Sequence, residues 1–296
     1  FLEKVEMAFQ RALFALCLFA AVAVAFEHPM EGDFLVTPGG KAIHRDCIHF
    51  IPSGSVLHVE DDGSGYRVQH ANGDVDLHSS CPHDPHAMHG QAWKAWAQYL
   101  NEDNFDFMSA EWPVPSAPGT PKNQILYFWP GTEPANNSFV IQPVLQWGNT
   151  PAGGGDYWAI ASWYVGDRAF YSPILDVDVG DVMYGEMSLT GDSDWAIISE
   201  DATTGEKIFL NVTTTVPQAY AYIVLEAYYL FDCTEYPATD DSEPFTNIVT
   251  KVNGEAVTPQ WETYNNNPGS FTACEEEAVV NSDSAVEIDY RNTARL

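Results

Sequence analysis

No histidine follows His89: all nine lie between His28 and His89, in a chain of 296 residues. That absence excludes much chemistry from the C-terminal two-thirds, because a Ser-His-Asp triad or a Cys-His dyad needs an imidazole within hydrogen-bond reach of its nucleophile. Basic residues are scarce as well, 12 against 42 acidic ones, for a formal charge of −30. A polyanion would be repelled, and no basic stripe exists, so nucleic acid is excluded as a partner. No Asp-Thr-Gly or Asp-Ser-Gly pair marks an aspartic peptidase, and no glycine-rich phosphate loop is present. Long apolar runs are confined to Ala12 to Ala25, and fourteen residues are too few to span a bilayer.

That run follows Arg11 and closes on Ala23-Val24-Ala25, the small-x-small pattern of a secretory cleavage site. Residues 1–25 are therefore read as upstream residues plus a signal peptide beginning at Met7, and the protein as secreted, with no membrane contact after cleavage. Cys17 leaves with the signal. The remaining Cys47, Cys81, Cys233 and Cys274 suit two disulfides, for which three connectivities exist. Local pairing, Cys47 with Cys81 and Cys233 with Cys274, is the simplest. Asn136-Asn137-Ser138 and Asn211-Val212-Thr213 are sequons, making Asn136 and Asn211 candidate glycosylation sites.

Residues 26–100 form a His-rich segment with ten acidic and four basic residues, a net of −6, whereas residues 101–296 have thirty acidic and six basic, a net of −24. Protonating nine histidines would carry the first segment to about +3 near pH 5, given a reference pKa of roughly 6.5. Its attraction to the second would then change with pH, as expected of a propeptide in intramolecular contact with the domain it regulates. His78, Cys81, His83, His86 and His89 crowd together, but Pro82 and Pro85 break the helix that would align them. No metal site is assigned there. Trp93, Trp96 and Leu100 recur at helical spacing, which predicts a helix over Gln91 to Leu100.

From Phe105 onward, runs of Val, Ile, Tyr, Phe and Trp alternate with polar residues between turn signals. Many strands with short links predict an all-β, two-sheet antiparallel β-sandwich. In period-2 strands Gln142, Val144 and Gln146 share a face, as do Tyr222, Val224, Glu226 and Tyr228. If both faces line one concave sheet, an amide and a carboxyl meet across neighbouring strands. A lone Glu or Gln on a strand is more commonly a wet surface group.

Several pieces resemble the fungal glutamic peptidases (eqolisins) in order and spacing. Ser109 to Gly119 looks like that family's first strand and Val-Pro-Ser loop. Val144-Leu145-Gln146-Trp147-Gly148 resembles the strand carrying its catalytic glutamine. Trp163-Tyr164 resembles the Trp-Tyr of the next strand, and Val179 to Val182 a later Gly-Asp turn. Glu200 to Lys207 is similar to its Thr-Thr-Gly hairpin, and Tyr222 to Glu226 to the strand delivering its glutamate. The resemblance implies a concanavalin A-like jelly roll over residues 101–296 and a secreted acid endopeptidase acting on polypeptides without a cofactor. Glu226 would be the general base on water and Gln146 the oxyanion donor, such donors being worth roughly 3–4 kcal/mol each. Trp129, Glu133, Trp158, Tyr164, Tyr222 and Tyr228 would line the substrate groove. Glu133 stands where the family has Asp, and register from Gln146 places Ser162 and Trp158 at positions the family fills with acids. The competing expectation is a non-catalytic or carbohydrate-binding or carbohydrate-active sandwich, since concave sheets rich in Trp and Tyr also hold sugars.

Overall fold

A computed structural model describes residues 33–60, 65–87, 92–266 and 274–291. The signal peptide and His89 lie outside the described residues. Everything from Phe34 onward belongs to one compact unit, and it is an all-β sandwich.

One sheet has nine strands. Its main path runs β21 (Glu262–Asn265), β8 (Trp93–Phe105), β18 (Gln218–Tyr228), β10 (Ile125–Glu133), β11 (Val140–Trp147), β12 (Trp158–Val165), β13 (Ala169–Tyr171) and β3 (Ile48–Phe50), with β14 (Leu175–Asp176) also on β12. The facing sheet has eleven. It runs β22 (Glu277–Ser282), β23 (Ala285–Asp289), β19 (Ser242–Val252), β9 (Phe107–Pro113), β15 (Val182–Leu189), β16 (Asp194–Asp201), β17 (Glu206–Thr213), β4 (Val56–Val59), β5 (Gly65–Gln69) and β6 (Val75–Ser79), with β20 (Glu255–Val257) on β19. A small third sheet joins β1 (Phe34–Thr37), β2 (Lys41–His44) and β7 (His86–Ala87). Pairings are antiparallel except β3 on β13 and β4 on β17.

Strand alternation makes the core. Leu126, Phe128, Ile141, Leu145, Ile160, Ile223 and Leu225 from one sheet meet Met108, Trp112, Met187, Ile197 and Leu210 from the other. At roughly 25 cal/mol per Å² of apolar surface, this buried layer supplies most of the driving force. Over β10, β11 and β12 the other face of the nine-stranded sheet is buried too, since every residue of these strands is buried. What covers it is the chain's own N-terminal segment.

The helix expected over Gln91 to Leu100 is instead β8. Its residues obey a period of two as well: Ala95, Ala97 and Tyr99 turn to the core, while Trp96 and Gln98 turn away, and both edges are paired, to β18 and β21. Two ladders of backbone hydrogen bonds outweigh the helix propensity of an alanine-rich stretch. This inner strand also runs unbroken across residue 100. Both disulfides, Cys47–Cys81 and Cys233–Cys274, form as the local pairing predicts.

Candidate active site

Glu226 and Gln146 come to one face of the nine-stranded sheet, though not on neighbouring strands. β10 runs between their strands, and Tyr127 pairs with Gln146 on one side and Glu226 on the other. The three form a row across the sheet. With strands about 4.8 Å apart, the outer two backbones stand about 10 Å apart. The expected meeting of amide and carboxyl is thus corrected to an amide, a phenol and a carboxyl. Directly opposed residues share a face, so Trp129 and Tyr222 project from the same side as the row.

Glu226 is fully buried, and both carboxylate oxygens accept the backbone N–H of Gly39, at 3.1 and 3.0 Å. Burial pushes its pKa up to about 8, opposed by the N–H groups of Gly39 and Gly40 and by the indoles of Trp129 and Trp93. The neighbouring chain is laid in like a ligand: Tyr127 Oη donates to the Val36 carbonyl at 3.4 Å and Tyr228 Oη to the Thr37 carbonyl at 3.1 Å. Gly39 is required here. It has φ +94°, and a Cβ would stand 2.6 Å from Val140 Cγ1. Lys41, half-buried and with its pKa lowered by desolvation, donates to the Gly166 carbonyl at 3.1 Å and feels the charges of Glu133 and Asp167.

Gln146 is buried, and its Nε2 donates to Thr150 Oγ1 at 2.8 Å and to the Gly153 carbonyl at 3.2 Å. Glu133 is held by Asn137 Nδ2 at 2.6 Å, and burial raises its pKa to about 7. Beyond it an open cleft of about 410 Å³ is lined by Trp93, Trp96, Gln98, Asn137, Tyr220, Tyr222 and Asn266. Of the aromatics expected in a groove, Tyr222 lines this cleft, whereas Trp129 and Tyr228 are buried; Trp93 and Trp96, which the helical reading of β8 concealed, line it as well.

Trp158 and Tyr164 do not line the groove. They sit on the opposite face of β12, inside the core, and Ser162 lies with them, its Oγ bonded to the Ile197 carbonyl and Ser199 Oγ of the other sheet. The residues of β12 opposite Gln146 and Val144 are Ala159 and Ala161. The expectation failed by one residue of register, which flips every side chain to the other face. Among the sequons, Asn136 is exposed in the turn after β10, and Asn211 is half-buried in β17 beside β4.

The segment over the site is clamped to the turn between β12 and β13. Asp167 accepts hydrogen bonds from Tyr66 Oη and the Cys81 N–H, and Arg168 donates to the carbonyls of Ser79 and Asp46 and meets His49 Nε2 at 2.9 Å. His49 and His78 pack with ring centroids 4.1 Å apart. Burial, His78 and Arg168 together hold the pKa of His49 down to about 4. His44, Asp46 and His83 bring ligand atoms within 4.8 Å of one another. The two rings stack 3.8 Å apart at 20°, so their in-plane lone pairs run side by side instead of converging on one ion. Among the described residues no helix is long and apolar enough to cross a membrane.

No family model and no curated protein sequence matches the chain. Among solved structures, two of scytalido-glutamic peptidase, one with a transition state analog inhibitor and one with a peptide based transition state analog, are similar at TM-score 0.50 and 18% identity. They cover 68% of this chain and 98% and 100% of theirs. What the chain shares with these glutamic peptidases is the β-sandwich fold.

Proposed function

We propose that this chain is a secreted acid endopeptidase of the glutamic type, with Glu226 as general base and the Gln146 amide as oxyanion donor. The observation that carries this reading is the chain segment Val36 to Gly40. Its Val36 and Thr37 carbonyls, at the end of strand β1, accept from Tyr127 and Tyr228, and the Gly39 N–H in the turn that follows donates to Glu226, so this face of the sheet already binds peptide backbone through both carbonyl and N–H groups. Polypeptide is accordingly the substrate class.

The covering segment serves as an inhibitory propeptide in this reading. The boundary at residue 100 moves to just before Trp93, because β8 is an inner strand of the sheet and cannot leave without opening it. Removal of the segment would expose Glu226 to water. Desolvation is the largest cause of its raised pKa, so hydration returns the carboxyl toward the ordinary range near 4.5, where it ionises in acid. Uncovering thus opens the groove and produces the base together. Two disulfides suit an oxidising, extracellular destination, and glycans on Asn136 and Asn211 belong to the same proposal.

Incubation of the purified chain with a denatured protein at about pH 4 tests this. Cleavage, with a new N-terminus of the enzyme just before Trp93, is the expected result. Absence of cleavage anywhere between about pH 2 and 7, with the segment removed, would overturn it. The Trp- and Tyr-lined cleft with its three amides favours a second reading, carbohydrate binding. Tight, selective binding on a glycan array at neutral pH would establish that reading instead.

A further inference from the structure

We propose that Tyr127 is a third catalytic residue, whose phenol donates to the oxyanion formed from the scissile carbonyl; this rests on the peptidase reading above. Four observations lead to it. Tyr127 occupies the middle of the row, directly between Gln146 and Glu226. Both N–H groups of Gln146 are committed to Thr150 Oγ1 and the Gly153 carbonyl, so the amide can reach a substrate only if the loop after β11 yields. The Tyr127 hydroxyl, by contrast, already donates to a peptide carbonyl of the chain lying in the groove, three residues before the N–H held by Glu226. Finally, Tyr127 is fully buried, and burial together with Glu226 holds its phenol un-ionised far above the working pH, so it remains a donor throughout.

The reaction balances without any further reactant. A water oxygen attacks the scissile carbonyl carbon while its proton passes to the Glu226 carboxylate. The carbonyl π electrons move to oxygen, and this oxyanion accepts the Tyr127 hydrogen bond without taking the proton. Collapse restores the C=O bond, breaks the C–N bond, and returns the proton from Glu226 to the departing amine. Thr150 Oγ1 accepts from Gln146 Nε2 and donates to the Gly153 carbonyl at 2.7 Å, which ties the amide into the loop after β11. Tyr228 holds the adjacent Thr37 carbonyl at the groove's edge and binds backbone instead of the reacting group.

The test is steady-state hydrolysis of a quenched peptide at about pH 4 by the full chain and by Tyr127→Phe, Tyr228→Phe and Glu226→Gln, run together. Tyr127→Phe removes one oxygen from a closely packed ring and keeps its shape. It is expected to lower kcat by about 100-fold, within the range for a lost oxyanion donor, with KM changed less than about threefold. Tyr228→Phe is expected to raise KM and spare kcat. A peptide phosphinate, which mimics the tetrahedral centre, should lose about as much affinity in Tyr127→Phe as kcat loses, whereas the uncleaved parent peptide should not. If Glu226→Gln is inactive and Tyr127→Phe keeps kcat within about threefold, the role of Tyr127 is refuted and the peptidase reading stands. If Glu226→Gln cleaves like the parent, the peptidase reading itself fails.

Discussion

Replacing Gly39 by Ala should open the covered site without unfolding the sandwich. Gly39 is the point where the N-terminal segment touches Glu226, and two penalties follow from its geometry. The added Cβ would lie 2.6 Å from Val140 Cγ1, about 1 Å inside ordinary carbon contact, and overpacking of this kind costs about 1–3 kcal/mol. A side chain held at φ +94° adds roughly 1–3 kcal/mol of backbone strain. Relief comes from letting the loop over Glu226 lift, because Val140 belongs to the rigid sheet and the loop does not. An opening equilibrium shifted by about 3 kcal/mol is shifted roughly 100-fold. Hydrogen exchange read by mass spectrometry on a peptide spanning 34–44 should show that acceleration, with the amides of β10 and β11 unchanged. Hydrolysis by the full-length chain in acid should rise with it. Unaltered exchange over 34–44 in Gly39→Ala would refute the claim that this contact closes the site.

Other consequences concern stability. Glu226, Glu133, Glu243 and Glu276 all have pKa values raised by burial, Glu226 to about 8 and Glu133 to about 7. The folded chain therefore binds more protons than the unfolded one between about pH 4.5 and 8, and stability is full below that window and lost as pH rises through it. Urea midpoints at pH 5 and pH 8 should differ accordingly, the acid value being higher. His49 has the opposite sign: its pKa is depressed to about 4, so docking of β3 is intact above pH 6.5 and weakens as pH falls toward 4. Exchange of the 45–51 peptide should quicken in that range, and His49→Phe should abolish the quickening. Glu243 is fully buried with neither oxygen bonded, so Glu243→Met should raise stability by about 1–3 kcal/mol at pH 8 and change it little at pH 4. Removing the Cys47–Cys81 bridge, with its separation of 34 residues, should cost up to about 4 kcal/mol by the chain-entropy relation, measured by urea denaturation without reductant.

The sandwich was readable because its signals are local. Alternation in Tyr222 to Tyr228 and Gln142 to Gln146 correctly assigned those faces, and cysteine spacing anticipated both bridges. The errors came where the answer depends on pairing. β8 carries a pattern compatible with periods of both 3.6 and 2, and only its two partner strands decide between them. Counting along β12 from Gln146 requires the length of the link between strands, and misjudging it by one residue sent Trp158, Ser162 and Tyr164 to the wrong face. Tyr127 was invisible for a related reason: that β10 separates β11 from β18 is a fact of topology, and nothing in Ile125 to Trp129 marks its middle residue. The contact of Gly39 with Glu226, 187 positions apart, was foreshadowed only in outline, by the clustering of histidines in the segment that makes it.

The most direct test is the rate at which Glu226→Gln cleaves a quenched peptide at about pH 4, relative to the parent, with the residues before Trp93 removed from both. The amide keeps the shape of the carboxyl and cannot take a proton from water. The rate should fall at least about 1,000-fold, with the circular dichroism spectrum unchanged. Equal rates would show that the carboxyl at position 226 is not the base, and that the row of Gln146, Tyr127 and Glu226 has some other use.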